Sequence, residues 1–356
     1  MKKIWKMLSF VACIALMTGM LAGCGGNDAA PTAPSGGESS AADAAGEASS
    51  EGDGETYELV IGHIVDETNT WHLGALKFKE IVEEKSNGRI NVTIYPNNQL
   101  GSEIDVIQSI LTNGGCDITF TGESMQTYAE ELGIIGMPYG ILNDEHMEAV
   151  LEGEVGKELE DLMLTSGMRV LGYFTRGPRN ITSNKPITTP DDLKGFIIRT
   201  PQSPMTVAAF EAMGAKPTPM AFGEVFTSLQ QGVIMGQENP LAMIKTGSFY
   251  EVQKCVNVTE HLRAWVYITI GEEKFQSLPE DLQQIVVDAA KEMQRHEHEL
   301  FLENEEALVK ELQDKGMEFI EVDQSPFAAK AIEGVEAVLT ERQAALYEKI
   351  KACAPQ

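Results

Sequence analysis

The stretch from Pro279 to Gly316 most constrains the fold, because it contains no internal proline or glycine. Leu282, Ile285, Val286, Ala289 and Met293 recur within it at the 3.6-residue period of an amphipathic helix. A helix of that extent would be roughly 55 Å long, which exceeds what one lobe would cover. Two helices joined by a kink are an alternative, but a single helix shared by two lobes fits better.

Ahead of this stretch, strand and helix patterns alternate. Strands are predicted at Tyr57–Val65, Ile90–Tyr95 and Asp117–Thr121, and helices at Trp71–Ser86 and Glu103–Leu111. This order predicts an α/β fold with a mainly parallel sheet.

A second block opens near Gly177 and is punctuated by prolines. About 300 residues follow the N-terminal segments, which suits two lobes better than one domain. We therefore predict two lobes, with lobe I at 57–176 and 265–304 and lobe II at 177–264 and 305–356. We also expect strands at Phe196–Arg199 and Leu262–Ile270, and helices at Pro204–Met213 and Phe222–Gln231, the second of which runs into Val233–Met235.

The N-terminus has the pattern of an export signal. Three lysines precede an apolar run at Met7–Leu21, which ends in Leu-Ala-Gly before Cys24. We predict a lipoprotein signal peptide at 1–23 with lipidation of Cys24; the alternative is an ordinary signal with a chance cysteine. Residues 24–56 have no large apolar residue, which predicts a flexible tether to the outer face of a bacterial membrane.

Charge and cysteine content exclude several classes. The formal net charge of −27 disfavours binding to nucleic acid. The cysteines show no disulfide or metal-ligand spacing, and we expect neither a metal nor a cofactor. The sequence also lacks a GxSxG motif and a phosphate-binding loop, which argues against an enzyme.

Two arginines stand out in the loop- and strand-rich middle of the chain. Arg199 follows three apolar residues at the predicted end of a strand, and Arg179 lies in GPRN. Ligands of open α/β sheets bind beyond the carboxyl ends of strands, and guanidinium groups bind carboxylates through two hydrogen bonds. The pattern is consistent with an anion site, although a salt bridge on the surface or between the lobes would use the same residues.

Three segments carry a family resemblance: GPRNITSNKPI at Gly177–Ile187, KGFIIRTPQSP at Lys194–Pro204, and GAKPTPMAFGEVFTSLQQGVIMGQENP at Gly214–Pro240. Together they resemble the solute-binding proteins of tripartite ATP-independent periplasmic (TRAP) transporters, of the DctP-like type. The resemblance implies a two-lobed, periplasmic-binding-protein-like fold that captures a small organic acid outside the cytoplasmic membrane and delivers it to a membrane permease. A lipid-anchored sensor with the same fold is the alternative.

The resemblance also implies roles for individual residues. Arg199 would make the principal two-pronged contact with the ligand carboxylate, and Arg179 would add to it, with Arg176 as a close rival. Asn239 would reach the same carboxylate, and Phe222 would pack against the body of the ligand.

The N-terminal lobe would supply the remaining contacts. Glu103 and Glu123 are expected to point into the cleft, and His63 and His72 to approach it, although surface acids and structural histidines would show the same pattern. Carboxylates there would repel the second charge of a C4-dicarboxylate. They would suit a ligand with hydroxyl donors, such as a hexuronate or another sugar acid. The C4-dicarboxylate remains the alternative ligand.

Overall fold

The computed structural model describes residues 55–355, apart from the side chain of Glu306. The predicted signal peptide, Cys24 and almost all of the predicted tether lie outside the described residues. No helix between residues 55 and 355 is both long enough and apolar enough to cross a membrane.

Residues 55–355 form eleven β-strands in two sheets. The first sheet has the order β2-β1-β3-β10-β4. Its strands are β1 (Tyr57–Gly62), β2 (Ile90–Tyr95), β3 (Ile118–Thr121), β4 (Met168–Thr175) and β10 (Trp265–Gly271). β1 runs parallel to β2 and β3, whereas β10 is antiparallel to β3 and β4.

The second sheet has the order β11-β9-β5-β8-β6-β7. Its strands are β5 (Arg179–Ser183), β6 (Ile197–Thr200), β7 (Lys216–Pro219), β8 (Gly236–Asn239), β9 (Cys255–Leu262) and β11 (Glu318–Glu321). β5 is antiparallel to both of its neighbours, and the other pairs are parallel. The α/β class is confirmed, and both sheets are mainly parallel: β10 is the one reversed strand of the first sheet and β5 the one reversed strand of the second.

The same part of the chain forms eleven α-helices. These are α1 (Thr70–Lys85), α2 (Glu103–Leu111), α3 (Asp144–Leu151), α4 (Glu154–Thr165), α5 (Pro204–Ala212), α6 (Val225–Gln230), α7 (Leu241–Thr246), α8 (Glu272–Ser277), α9 (Glu280–Asp314), α10 (Ser325–Glu336) and α11 (Glu341–Ala352). Local signals explain two that reach the site. Asn69 caps α1 through the Trp71 amide, and Ser102 forms a capping box with Asp105 at the start of α2.

Helix α9 is unbroken over 35 residues, which corresponds to about 52 Å. Leu282 and Met293 near its start belong to the hydrophobic core beneath the first sheet. Leu312 near its end packs in the core of the second sheet, together with Val256 of β9. The predicted long helix shared by both lobes is confirmed.

Three segments connect the two sheets: the turn at residues 177–178, the turn at residues 263–264, and α9. The exact residue boundaries predicted for the two lobes stay a prediction.

One strand was not predicted and another is misplaced. β8 (Gly236–Asn239) follows the stretch Val233–Met235, into which the helix at Phe222–Gln231 was expected to run, and Val233 and Met235 are exposed. The strand expected at Leu262–Ile270 is instead the end of β9 and most of β10, which belong to different sheets. Apolar content alone did not reveal the turn at residues 263–264.

Gly236 opens β8 at a place where the backbones approach closely. A Cβ at this position would stand 2.3 Å from the carbonyl oxygen of Thr182 and 2.7 Å from the Phe196 ring. We expect Gly236→Ala to lower the free energy of unfolding by about 1–3 kcal/mol, the usual cost of overpacking. Urea denaturation would measure this. Gly223→Ala is the control, because a Cβ there would come no closer than 3.4 Å to any neighbouring atom.

Candidate functional site

A cavity lies between the two sheets, and most of the predicted site residues line it. Glu103, Thr121 and Glu123 come from the first lobe, and Arg179, Arg199 and Asn239 from the second. Trp71, Phe120, Phe222 and Met243 are among its apolar walls. The cavity therefore combines charged groups of both signs with aromatic surface.

Strand topology explains how the second lobe gathers its polar groups. Arg199 lies near the carboxyl end of β6, and Asn239 ends the parallel strand β8. β5 is antiparallel to β8, so Arg179 at the start of β5 lies at the same edge. The three side chains meet beyond the carboxyl ends of β6 and β8, where open α/β sheets bind ligands.

The first lobe places its carboxylates by short local elements. Glu103 is the first residue of α2, and its Oε1 accepts a hydrogen bond of 2.6 Å from the Thr121 hydroxyl at the end of β3. Glu123 begins a 3₁₀ turn directly after β3. The end of β3 therefore positions both carboxylates: the Thr121 hydroxyl holds Glu103 by a hydrogen bond, and the 3₁₀ turn after the strand begins with Glu123.

Arg179 is fully engaged by a carboxylate that the sequence did not single out. Its Nε lies 2.5 Å from Oε2 of Glu238 and its Nη2 lies 2.7 Å from Oε1, a two-pronged pair. His261 Nε2 lies 3.0 Å from the same Oε2. Burial would raise the pKa of Glu238, but Arg179 and His261 outweigh it and lower the pKa to about 2.

Arg176 is also paired. Its Nη2 donates to Glu123, and both side chains are buried. Burial would raise the pKa of Glu123, but the charges of Arg176 and Arg179 hold that pKa below its ordinary value. Arg176 and Arg179 both line the cavity. Each of these arginines, which the sequence offered as alternatives for the ligand carboxylate, forms a salt bridge with a different glutamate.

Arg199 differs from the other two cavity arginines. Its Nε and Nη2 donate only to the carbonyl oxygen of Met220, at 3.0 and 2.7 Å. Burial and the nearby Arg179 lower the pKa of Arg199 to about 10, although Glu238 opposes the shift. Arg199 is thus a buried cation that forms no salt bridge with a carboxylate among residues 55–355.

Glu103 is a cavity carboxylate that forms no salt bridge with a basic side chain among residues 55–355. Burial, together with the charge of Glu123, raises the pKa of Glu103, against hydrogen bonds from Thr121 and Ser124. A carboxyl group in this state can accept hydrogen bonds from hydroxyl groups and, when protonated, donate one.

Phe222 and Asn239 complete the predicted set. Phe222 packs edge-on against Phe249, with 5.7 Å between ring centroids, and contacts the cores of both lobes. Asn239 Nδ2 donates to Gln237 Oε1 at 2.6 Å, which fixes the orientation of the amide.

The structure does not place His63 and His72 among the cavity-lining residues. His63 Nε2 lies 3.1 Å from His72 Nδ1, and the His63 ring stacks on Phe120, which does line the cavity. Burial and the neighbouring His72 lower the pKa of His63 to about 3, so the ring is neutral at physiological pH. The roles predicted for these two histidines stay predictions.

Sequence reasoning missed Glu238 and Trp71. Glu238 was visible as the charged residue inside GQENP, next to a proposed ligand residue, and only the pairing of β5 with β8 reveals its partner. Trp71 follows the N-cap of α1, and its side chain is buried at the cavity wall. Within residues 55–355, no group of three or more His, Cys, Asp or Glu side chains is arranged to hold a metal ion.

The fold and the cavity define a two-lobed protein with an interlobe site for a small anion. The sequence profile of the family described as "Bacterial extracellular solute-binding protein, family 7" (DctP) matches residues 61–344. The chain belongs to this family, and it is the solute-binding component of a TRAP-type transporter.

Known relatives extend the comparison. The chain is 45% identical over 293 residues to solute-binding protein RD1_1052 of Roseobacter denitrificans, an alignment that covers 82% of this chain and 90% of the relative. The crystal structure of that protein with bound L-galactonate superimposes with a TM-score of 0.81 at 44% identity, over 83% of this chain and 99% of the relative.

Two further relatives are more distant. A TRAP solute-binding protein from Sulfitobacter sp. with bound β-D-galacturonate matches at 28% identity and a TM-score of 0.77, over 83% of this chain and 97% of that one. The 2,3-diketo-L-gulonate-binding protein YiaO of Escherichia coli is 30% identical over 273 residues, 76% of this chain and 83% of the relative.

Proposed function

We propose that the cavity captures a sugar acid, an aldonate or a hexuronate, with the carboxylate at Arg199. The observation that carries the proposal is that Arg199 is buried and forms no salt bridge with a carboxylate of the described residues 55–355, while Arg176 and Arg179 each form one. An anion at this point supplies the missing charge and can accept two parallel hydrogen bonds. The sugar acids bound by RD1_1052 and by the Sulfitobacter protein support the same class.

The other groups suit the hydroxylated body of such a ligand. Glu103 and Glu123 offer acceptors for hydroxyl groups, and Phe222 and Trp71 offer apolar surface for the C–H faces of the chain or ring. A C4-dicarboxylate would bring its second charge towards these glutamates, which disfavours it. Arg179 and Asn239 contribute to the carboxylate pocket, with Arg179 held in place by Glu238.

Closure of the lobes would follow ligand contact with both of them. Arg199 and Asn239 lie on one side of the cavity and Glu103 on the other, so a ligand that bridges them favours the closed arrangement. The closed protein would then dock on the membrane permease and release the ligand there. Anchoring through lipid on Cys24 and the tether would keep it close to that permease.

Isothermal titration calorimetry tests the ligand class. We expect L-galactonate to bind and galactitol, which has the same carbon skeleton with an alcohol in place of the carboxylate, to bind at least a hundredfold more weakly. Malate represents the alternative ligand class, the C4-dicarboxylates, in the same titrations. Equal binding of galactitol and L-galactonate, or preference for malate, would contradict the proposal.

Glu103→Gln separates hydroxyl recognition from carboxylate recognition. Removal of the negative charge weakens acceptance of ligand hydroxyl groups, so affinity for L-galactonate should fall about 5- to 13-fold, because a hydrogen bond to a charged group contributes about 1–1.5 kcal/mol more than one between neutral groups. Binding of malate should be unchanged or stronger, because a repulsive charge is lost. Loss of both ligands in proportion would show that Glu103 only supports the fold.

The anchor can be tested independently of the ligand. Cells that express the full chain and are fed radiolabelled palmitate should label the wild-type protein, and Cys24→Ala should abolish that label. Equal labelling of the variant and the wild-type protein would show that Cys24 is not the lipidated residue.

A further inference from the structure

Glu297 is a buried acid that the binding mechanism above does not use. It lies on α9 with no exposed surface. Its Oε1 accepts a hydrogen bond of 2.7 Å from the Thr70 hydroxyl, and its Oε2 is buried with no hydrogen-bond partner. Its Cβ lies 3.5 Å from the position that a Cβ on Gly74 would occupy, so the helices α1 and α9 are in close contact there.

No charged side chain among residues 55–355 forms a salt bridge with Glu297. Burial raises its pKa to about 8, against smaller opposing effects from Thr70 and the Thr175 backbone. The titratable or charged groups on the elements packed against α9, and beside Glu297 on that helix, include His72, Arg176, Lys245 and His298. Three of these have partners of their own, namely His63, Glu123 and Glu311, and His298 contacts the Thr175 hydroxyl.

The contacts of Glu297 lead to the cavity by two short routes. Thr70 opens α1 and precedes Trp71, a residue of the cavity wall. Thr175 ends β4 and precedes Arg176, which also lines the cavity. Glu297 therefore stands where the start of α1, the end of β4 and the long helix meet.

The same junction connects the lobes. Asn69, which caps α1, donates from Nδ2 to the Thr246 hydroxyl of α7 at 3.0 Å, and α7 belongs to the second lobe. A shift of the start of α1 would therefore move Trp71 and also alter the hydrogen bond between Asn69 and Thr246, which joins the two lobes.

We propose that Glu297 is a positioning residue for the ligand cavity: as a neutral acid it holds the start of α1 against the end of β4, and its ionisation loosens this junction and weakens ligand capture. The effect on affinity rests on the function proposed above, whereas the effect on stability does not. Ionisation would place an unpaired charge in an apolar contact between helices, which the fold can relieve only by opening it to water.

The stability of the ligand-free protein tests the first half. An acid whose pKa is raised in the folded state binds more protons folded than unfolded, so stability falls as pH rises from the unfolded value of 4.5 to about 8 and then levels off. In this range the wild-type unfolding constant should rise, relative to that of Glu297→Gln, by up to about tenfold per pH unit. The glutamine keeps the shape and the hydrogen bond to Thr70 but cannot ionise.

Urea denaturation of the purified protein at pH 5, 6, 7, 8 and 9 measures this difference. Glu299→Gln is the matched control, because Glu299 lies on the same helix in an exposed pair with Arg295. The control should follow the wild-type profile. Parallel profiles of wild type and Glu297→Gln would overturn the proposal whether or not any sugar acid binds.

Affinity for L-galactonate tests the second half. If only the neutral form captures ligand, a group with a pKa of about 8 leaves about a tenth of the protein competent at pH 9, so affinity should fall up to about tenfold between pH 7 and pH 9. Glu297→Gln should show no such fall, although it shares every other titrating group. An equal fall in both proteins would overturn the positioning role, and failure of both to bind at pH 7 would count against the sugar-acid proposal alone.

Discussion

Replacement of Arg199 by methionine should lower affinity for L-galactonate by roughly 10²- to 10³-fold. Arg199 is buried, its guanidinium donates to the Met220 carbonyl, and it forms no salt bridge with a carboxylate of residues 55–355. Truncation of one partner of a buried charge pair costs about 2–5 kcal/mol, and every 1.4 kcal/mol is a tenfold change in affinity. Calorimetric titration of the variant would measure the loss.

The same variant should fold at least as well as wild type. Burial lowers the pKa of Arg199 to about 10, which means that the folded ligand-free protein disfavours this charge. Methionine removes the charge and keeps much of the side-chain volume. Arg199→Lys should lie between the two in affinity, because it keeps the charge but loses the planar fork. If Arg199→Met bound L-galactonate with wild-type affinity, the ligand carboxylate could not be bound by Arg199.

Glu238→Gln should produce the largest loss of stability among the substitutions considered. It leaves Arg179 buried beside a neutral amide, and breaking a buried ion pair by removing one partner costs about 3–5 kcal/mol. Chemical denaturation would measure the loss. Glu292→Gln, which breaks an exposed pair with Arg295, is the control and should change stability by less than about 1 kcal/mol.

The acid dependence of stability gives an independent check on Glu238. Its pKa is about 2 in the folded protein against an ordinary value of 4.5, so it contributes stability that is present above about pH 4.5 and is lost as pH falls towards 2. Glu238→Gln should flatten this part of the profile. An unchanged slope, or a loss of stability no larger than that of the control, would contradict the pairing described here.

Local signals were sufficient for many elements of the fold. The predicted helix Glu103–Leu111 and strand Ile90–Tyr95 coincide with α2 and β2. The helix at Pro279–Gly316 was predicted because proline and glycine, the residues that interrupt helices, are absent from it. These elements depend on periodicity and caps, which are properties of adjacent residues.

Sheet topology was less accessible. β10 follows nine other strands, yet it inserts between β3 and β4 and makes the first sheet mixed. Its seven residues are all buried, and a continuous apolar run carries no information on the direction of its neighbours. The expectation of a mainly parallel sheet rested on the first βα units, which carry no sign of the one reversed strand in each sheet.

The candidate site was predictable in its members but not in its pairing. The family motifs brought Arg179, Arg199, Asn239 and Phe222 to one cavity, as the structure does. Which arginine already has a counterion depends on the register of β5 against β8, a long-range property. Glu297 could not be singled out either, because within an acidic helix it resembles the exposed glutamates around it.

The crystal structure of the complex with L-galactonate tests the central claim most directly. We expect the ligand carboxylate to lie within about 3 Å of the Arg199 guanidinium, with the ligand hydroxyl groups directed towards Glu103 and Glu123. A carboxylate bound elsewhere in the cavity, with Arg199 still bonded only to Met220, would contradict it.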